Sequence, residues 1–565
     1  MKKLRWQIVI VVVALAAIAV LLYGQQPVIQ TVAPEPSTGG VYIEGLVGQP
    51  SRFNPLLDFY NQADRDVDRL IFSSMLKFDA WGNPIPDLAE AWGVSVTGDV
   101  FNVTLRENAL WHDGEPVTSA DVVFTIELMR DPAIPVPDDL RELWDSVEVI
   151  AFDDYNLQFR LPEPYVPFVD YLAFGVLPKH LLDGKTGQEF IDASFNLSPV
   201  GSGPYQFQEL IVEDGQITGL VLSPFDDYYL DRPFIDQIVF RYYPSTQEAL
   251  LAYQEGEILG ISPVGGDALR DVLAEPGLNV YTARLPQLSM VVFNLSEDEE
   301  PLFQDSNVRK ALLMALNRRW IIDVAVDGQA MLANGPIFPG SWAYYDEGLE
   351  GYDYNPSGAV DLLREAGFVI PAEGGDIRQK DDMLLSFELV HLTDVVNTAI
   401  AEIIQQNWAE VGVQVQLVAV DEVALMDDYL TPRTYQAALI ELSLARTPDP
   451  DPYPFWHQSQ ISGGQNYSLW NDRRASEYLE NARVVPQHLE RFRLYRNFQV
   501  HFNREMPALP LFYPMYSYAV DLEVEGVAIG PLYDPSDRFA NVNAWFLVSK
   551  PGVQPVETPT ETQTP

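Results

Sequence analysis

The sequence contains no cysteine, and this absence removes several kinds of chemistry at once. Disulfide bonds, thiolate metal sites, cysteine nucleophiles and a lipidated N-terminal cysteine are all excluded. The six histidines are scattered, without an HExxH or H-x₃-H pair, and no GxxxxGKS/T phosphate loop occurs. We therefore predict no metal site, no cofactor and no nucleotide hydrolysis by this chain.

Basic residues are also scarce: 35 lysines and arginines stand against 81 acidic residues, giving a formal net charge of −46. Such a charge repels nucleic acid and anionic membrane surfaces, and it tolerates or attracts cations. A solvated acidic surface explains most of this negative charge. The hydrophobic content of 47% indicates a globular protein. At about 150 residues per domain, the length allows three or four domains.

The N-terminus reads as an export segment. Lys2, Lys3 and Arg5 precede an uncharged apolar run from Ile8 to Tyr23, the charge asymmetry of a signal or anchor. No cleavage site is obvious, so we predict an uncleaved anchor helix at 1–23 that tethers an extracytoplasmic body to the membrane; the alternative is a cleaved signal, and in both cases the remainder works outside the cytoplasm. Residues 24–40 and 549–565 are polar and proline-rich, which predicts a linker and a disordered tail.

Between these segments, strand and helix patterns alternate. The run Val100–Leu105 alternates with period two and predicts a strand. Thr118 and Asp121 form a capping-box pattern before an amphipathic helix. Further strands are predicted at 157–161, 219–222, 237–242 and 413–420, and further helices at 306–316, 356–366, 394–410, 474–483 and 487–503. This pattern predicts an α/β protein with helices covering mixed sheets, in at least two lobes.

The stretch Tyr435–Trp456 combines several unusual features. The apolar run Ala437–Leu444 predicts a buried strand, and three prolines in the next eight residues must end it in a rigid loop. Two aspartates and three aromatic residues accompany those prolines. A buried strand that leads into such a loop is typical of a ligand cleft. The alternative is a surface turn whose aromatic rings fold back into the core.

Two short motifs resemble catalytic signatures. Trp111-His112-Asp113-Gly114 looks like a His/Asp pair, but adjacent residues before a capped helix are more typical of a fixed turn. Gly201-Ser202-Gly203-Pro204 lacks the G-x-S-x-G of a nucleophile elbow and the third glycine of a dinucleotide loop. We predict structural turns at both positions.

Several segments, in order, resemble the family 5 solute-binding proteins of ABC importers, which include oligopeptide-, dipeptide- and nickel-binding proteins. The resemblance covers about 40–548, and the third segment quoted below is its most specific part. The segments are PSRFNPLLDFYNQ, LIFSSMLKFDAWGNPIPDLAEAW, LRENALWHDGEPVTSADVVFTIELM, VLPKHLL, PVGSGPYQF, NVRKALLMALNRRWIIDVAVDGQA, GPIFPGSW, YDYNPSGAVDLLREAGF, the DPDP loop and RLYRNFQVHFNREMPALPLFY.

The resemblance implies a two-lobe, periplasmic-binding-protein-like α/β fold of type II with an extra subdomain. Lobe I would comprise 41–284 and 515–548, with the subdomain at about 71–185, and lobe II would comprise 285–514. A monomer would enclose a peptide or other small solute between hinged lobes and deliver it to a membrane permease, without catalysis. The same placement implies ligand contacts from Phe59, Tyr60, Asn61, Gln287, Ser289, Met290, Ser443, Leu444, Arg446, Asp449, Asp451 and Trp456.

One position departs from the family pattern. Peptide binders of this family hold the ligand's α-amino group with an aspartate just before the proline-rich loop, and the ungapped register puts Arg446 there. Arginine prefers a carboxylate or a phosphate. Either a register shift gives the role to Asp449 or Asp451, or the ligand is not a simple peptide with a free N-terminus.

Two other functions remain compatible with the sequence. A secreted glycosidase-like hydrolase could use two of the many carboxylates, whose spacing in the fold a sequence does not reveal. A ligand-sensing receptor without transport would share the same binding architecture. The binding component of an importer is the leading hypothesis.

Overall fold

The computed structural model describes residues 36–79, 81–296, 301–443, 447–530 and 532–548. The predicted anchor at 1–23, the tail at 549–565 and all but the end of the linker lie outside these ranges. Among the residues that are described, no helix combines the length and the apolar character needed to cross a bilayer.

Strands and helices alternate along the described chain, as the sequence predicts. The strands are β1 (Val41–Val47), β2 (Leu76–Phe78), β3 (Pro84–Pro86), β4 (Ala89–Val94), β5 (Val100–Leu105), β6 (Glu148–Ala151), β7 (Asn156–Arg160), β8 (Tyr205–Glu213), β9 (Gln216–Pro224), β10 (Gln237–Tyr243), β11 (Gly260–Ser262), β12 (Leu278–Arg284), β13 (Gln287–Phe293), β14 (Ala330–Leu332), β15 (Gln379–Lys380), β16 (Met383–Leu384), β17 (Ser386–Leu392), β18 (Gln414–Val420), β19 (Ala437–Ser443), β20 (Ala508–Asp521), β21 (Val524–Glu525) and β22 (Phe546–Leu547).

The helices cover the sheets and carry the loops of the site. The α-helices are Gln62–Ile71, Ser119–Arg130, Asp138–Ser146, Lys179–Leu182, Gly187–Ile191, Thr246–Gln254, Gly266–Ala274, Ser306–Met314, Arg318–Ala325, Pro356–Glu365, Val395–Glu410, Glu422–Ala424, Tyr453–Trp456, Arg473–Val484 and His488–Glu505; shorter 3₁₀ turns include Val166–Leu172 and Pro535–Phe539.

The long strand β20 joins two sheets into one. The overall order is β18-β17-β19-β13-β20-β11-β1-β10-β9-β8, and β12 and β14 also pair with β20. Residues Ala508–Phe512 of β20 pair with β13, whereas Met515–Asp521 pair with β12. We call the β13, β14 and β17–β19 side the second half-sheet, and the β1 and β8–β12 side the first half-sheet. The turn between β12 and β13 makes another chain connection between them.

Strand β13 of the second half-sheet is buried on both faces. Val291 and Phe293 of β13 pack into one core, whereas Met290 and Val292 pack into the core on the opposite face. This is the period-two alternation of a strand. A strand buried on both faces needs apolar residues at every position, and Ala437–Ile440, the first four residues of β19, are all apolar and buried, whereas Glu441 is exposed. The strand predicted from that run is therefore confirmed.

A smaller sheet, in the order β4-β5-β7-β6, lies within residues 89–160. The predicted strand Val100–Leu105 is β5, with the same limits. The helix predicted after Thr118 is Ser119–Arg130, and the Thr118 N–H donates to Asp121 Oδ2 at 2.8 Å. The predicted lobe and subdomain limits stay predictions.

Predicted helix ends are also confirmed in the second half of the chain. Asp305 caps Ser306–Met314, and Asn355 caps Pro356–Glu365 with Pro356 at the first helical position. Gly367 follows with a φ of 95°, a conformation that costs glycine little. The proline-rich loop differs slightly from expectation, because its aromatic end forms the one-turn helix Tyr453–Trp456.

The two catalytic-looking motifs bind each other. The Gly201 N–H donates to His112 Nδ1 at 3.1 Å, and His112 Nε2 lies 3.0 Å from the Gly203 oxygen. Burial lowers the pKa of His112 to about 4, so the ring is neutral near neutral pH. Asp113 pairs with His180 instead, at 2.8 Å. These contacts give the two motifs the structural role that we predicted.

A fully buried arginine fastens the C-terminal segment to the first half-sheet. Arg538 lies 2.6 Å from Glu44 of β1 and 2.8 Å from Asp66 of the helix Gln62–Ile71, and it is 0% exposed. The hydroxyls of Tyr42 and Tyr518 also donate to Glu44, at 2.7 and 2.9 Å. The network therefore fixes the orientation of that helix against β1.

Substitution Arg538→Met should destabilise the protein, because Glu44 and Asp66 would stay buried without their cation. We expect a loss of about 3–5 kcal/mol in the free energy of unfolding, measured by chemical denaturation. The control Arg493→Met removes a surface arginine and should change stability by less than about 0.5 kcal/mol. Similar stabilities for the two variants would contradict the role assigned to Arg538.

Candidate functional site

The proline loop, residues 447–452, is anchored by a buried ion pair. The Asp449 carboxylate lies 2.5 Å from Arg491 of the helix His488–Glu505, and Tyr495 of the same helix donates to it at 3.3 Å. The Asp449 backbone N–H donates to Asp170 Oδ2 at 2.5 Å. Asp170 lies in the 3₁₀ turn Val166–Leu172, so the loop contacts a segment far from its own half-sheet.

The second aspartate of the loop makes a similar contact. Arg483 holds Asp451 with Nε and Nη2, at 3.0 and 2.8 Å from the same oxygen, and Tyr165 donates to that oxygen at 3.2 Å. The Arg483 guanidinium also lies 3.7 Å from the centre of the Tyr453 ring. Both predicted loop carboxylates are thus neutralised by arginine, and a ligand ammonium would have to displace it.

A cavity of about 220 Å³ opens beside this contact. We call it the seam cavity. Its wall comes from segments 55–59, 65–78, 170–175 and 533–537, together with Met129 and Thr447. Thr447 belongs to the proline loop, and the remaining wall residues lie outside the 285–514 segment. The aromatic wall includes Phe72 and Phe78, so the cavity combines apolar surface with charged groups, as ligand sites do.

Most charged groups of the wall are paired. Arg65 lies 2.9 Å from Asp534, and its Nε lies 3.8 Å from Asp58. Arg69 lies 3.0 Å from Asp537. The pairs with Asp534 and Asp537 join the helix Gln62–Ile71 to the C-terminal segment. The charges of these arginines and aspartates are therefore largely satisfied within the protein.

Three buried polar groups of the wall are less well satisfied. Both carboxylate oxygens of Asp68, the Tyr533 hydroxyl and the Arg65 Nε lack hydrogen-bond partners among the described residues. Burial, followed by the charges of Asp58 and Asp64, raises the pKa of Asp68 well above its ordinary value. Buried polar groups normally have partners, so these atoms suit a bound solute or ordered water.

The first predicted segment contributes one residue to the seam cavity. Phe59 lines it, whereas Tyr60 is 85% exposed. Asn61 caps the helix Gln62–Ile71, with its Oδ1 accepting from the Ala63 N–H at 3.1 Å and its Nδ2 donating to Asp64 at 2.8 Å. The Asn61 side chain therefore has a structural function, and a ligand contact for it stays a prediction.

The predicted crossover residues lie in β13, between β19 and β20. Ser289 and Met290 pair with residues of both neighbouring strands, β19 and β20. The backbone groups that we predict to bind a ligand therefore take part in the sheet. Met290 is fully buried in the core. Gln287 and Trp456 line a separate apolar recess of only about 10 Å³.

The remaining predictions concern the end of β19. Ser443 is its last residue and pairs opposite Gln287. Leu444 and Arg446 lie outside the described residues, so their predicted ligand contacts stay predictions. No set of three or more histidine or acidic side chains within the described ranges is arranged to hold a metal ion.

No ligand contact is predicted from the sequence for Asp68, Asp170 or Tyr533, which line the cavity. A signal existed for Asp68, because Asp64, Val67, Asp68 and Ile71 share one helical face by their spacing. Two carboxylates on the apolar face of a helix indicate a buried acidic site. Asp170 and Tyr533 carried no comparable signal, since only the fold brings them to the cavity.

Comparison with known proteins agrees with this architecture. The family model of the bacterial extracellular solute-binding proteins, family 5, matches residues 83–464. The oligopeptide-binding protein AppA of Bacillus subtilis is 28% identical over 528 residues, covering 91% of this chain and 93% of its own. The dipeptide-binding protein of Escherichia coli is 28% identical over 526 residues, covering 88% and 93% of the two chains.

Solved structures show the same fold. AppA of Bacillus subtilis in complex with a nonapeptide superposes with a TM-score of 0.67 at 26% identity, covering 91% of this chain and 100% of that one. HbpA2 of Haemophilus parasuis superposes with a TM-score of 0.78 at 21% identity, covering 90% and 100% of the two chains. The mixed α/β architecture is thus the two-lobe, periplasmic-binding-protein-like fold, and the chain belongs to the family 5 extracellular solute-binding proteins of bacteria.

Proposed function

We propose that this chain is the extracytoplasmic substrate-binding component of an ABC importer for peptides or a related small solute. It binds its ligand in the seam cavity and delivers it to a permease in the membrane. The observation that carries the proposal is the cavity itself. Its wall combines aromatic rings with residues whose buried polar atoms lack partners among the described residues, and Thr447 of the proline loop lies in the same wall. Related proteins that bind oligopeptides and dipeptides support it.

Closure of two lobes requires a ligand that contacts both of them, because only differential affinity shifts a conformational equilibrium. The proline loop supplies the contacts for such a closed state. Asp449 reaches Asp170, and Tyr165 reaches Asp451. Tyr533, in the cavity wall, also packs against Phe338 at 6.2 Å. A ligand in the seam cavity would strengthen this set of contacts.

The chain acts as a binding protein, not as an enzyme, and works as a monomer. The predicted N-terminal anchor would hold it at the outer face of the cell membrane, and the linker would give the body freedom to reach a permease. The acidic surface keeps the body soluble and away from anionic lipid.

The protein purified directly from cells should carry one small solute per chain, visible by native mass spectrometry. Stripping that solute by unfolding and refolding, and then restoring it, should reduce the radius of gyration in solution scattering. The reason is that the ligand favours the closed arrangement of the lobes. The proposal fails if no solute co-purifies and if no peptide or amino acid mixture changes the melting temperature.

Arg446→Asp tests the predicted role of Arg446 at the site. If Arg446 pairs with a ligand carboxylate, the unaltered protein should prefer trialanine to its C-terminal amide, and the variant should lose that preference or reverse it. The expected change is about tenfold in relative affinity by calorimetry, as for one charge-assisted hydrogen bond.

The matched control is Arg319→Asp, which makes the same charge change at an exposed position on the helix Arg318–Ala325. This control should keep the preference of the unaltered protein. Unchanged discrimination in Arg446→Asp would show that the register placing Arg446 at the ligand is wrong.

A further inference from the structure

Asp68 is an exceptional carboxylate of the seam cavity. It lies in the last turn of the helix Gln62–Ile71 and is 3% exposed. No side chain among the described residues donates to its oxygens, and the Asn54 backbone N–H, though outside hydrogen-bond geometry, lies near enough to favour the ionised form. The other aspartates of the wall differ, since Asp534 and Asp537 are held by arginines, Asp58 lies 3.8 Å from the Arg65 Nε, and Asp170 accepts the Asp449 N–H.

The charge balance of the wall is negative. Its carboxylates are Asp58, Asp68, Asp170, Asp534 and Asp537, and its cations are Arg65, Arg69 and Lys77. Five acids against three bases leave an excess of two negative charges when all are ionised. Burying an ionised carboxylate without a partner is costly, so Asp68 either binds a proton or receives a cation from the ligand.

The groups around Asp68 explain why the protein itself does not neutralise it. Burial, followed by the charges of Asp58 and Asp64, disfavours its ionised form, and the Asn54 N–H and Arg65 oppose this only in part. Arg65 is already engaged by Asp534. Burial, followed by the charges of Asp64, Asp66 and Asp68, raises the pKa of Tyr242 of β10, whose hydroxyl also lacks a hydrogen-bond partner among the described residues. None of these neighbours provides a free positive charge.

The same cavity also presents donors that need acceptors. The Tyr533 hydroxyl is 4% exposed and the Arg65 Nε is buried, and both lack a hydrogen-bond acceptor among the described residues. The side chains of Asp68 and Tyr533, whose polar atoms lack hydrogen-bond partners within the described part of the chain and are shielded from water in this structure, therefore border one space of about 220 Å³. A ligand that satisfies both must carry a cationic nitrogen together with a carbonyl or a similar oxygen.

We propose that Asp68 binds a protonated nitrogen of the ligand, an ammonium or a guanidinium group, and that Tyr533 donates a hydrogen bond to an oxygen of the same ligand. This inference rests on the proposed function, since it identifies the ligand chemistry of the same cavity. It also agrees with the state of the loop aspartates, because Asp449 and Asp451 already form ion pairs with Arg491 and Arg483. The negative charge available to a ligand thus comes from the opposite wall.

Asp68→Asn tests the cation site, because it keeps the shape of the side chain and removes its charge. Three probe sets are used with the full chain in calorimetry. They are trialanine against N-acetyl-trialanine, N-acetyl-Ala-Lys-Ala against its norleucine analogue, and putrescine, which has no peptide bond. They separate an N-terminal ammonium, a side-chain ammonium and a free amine. The unaltered protein should prefer at least one cationic member of a pair by about tenfold, or bind putrescine.

In Asp68→Asn that preference should shrink to less than about threefold, and any putrescine affinity should fall by about tenfold. The control Asp271→Asn, at an exposed position on the helix Gly266–Ala274, removes the same charge and should behave like the unaltered protein. Tyr533→Phe should weaken both members of a peptide pair equally, because its hydrogen bond goes to the part that they share. A melting curve shows that each variant is folded, and Asp68→Ser replaces Asp68→Asn if the latter does not fold.

Equal binding of the charged and neutral probes, binding of no cationic probe, or full discrimination in Asp68→Asn would each overturn the cation site. None of these results bears on the proposed function, which is judged separately by the co-purified solute. Conversely, a protein that carries only an anionic solute keeps its proposed function and loses this inference.

Discussion

The buried ion pairs of Arg538 are the constraint on which the site depends. They join β1, the helix Gln62–Ile71 and the C-terminal turn in one place from which water is excluded. A buried charge tolerates little displacement, because any loss of its partner leaves an ion in a medium of low polarity. The helix is therefore held in one rotation about its axis, and this rotation directs Asp68 and Arg65 toward the cavity.

Strand β20 plays the corresponding role for the whole molecule. It contributes to both half-sheets, with Leu509 in a core of the second and Tyr518 in the core of the first. Side chains of two separate cores are thus anchored to a single strand, which limits how the halves can move relative to each other. The proline loop is in turn fixed to the second half of the chain by the ion pairs of Asp449 and Asp451 with Arg491 and Arg483.

The acidic composition has two different physical meanings in this structure. Most acidic residues lie on the surface, where water solvates them and their effect is a long-range field. Four aspartates instead form ion pairs with arginines of other segments and so hold those segments together: Asp449, Asp451, Asp534 and Asp537. Asp68 belongs to neither group. The net charge of the chain reveals nothing about this division, because it depends on burial and on which cations come within reach.

Local pattern determined the secondary structure of this protein: β5, the Thr118 capping box, the Asn355-Pro356 helix start and the buried strand β19 all follow from near neighbours in the chain. The family resemblance places the proline loop at the ligand crevice, and this placement stays a prediction. The chemistry of the cavity was decided only by tertiary structure, because Asp68, Asp170, Thr447 and Tyr533 are far apart in sequence. Whether a carboxylate is solvated, paired or left without a partner depends on what packs around it, and that environment exists only once the chain has folded.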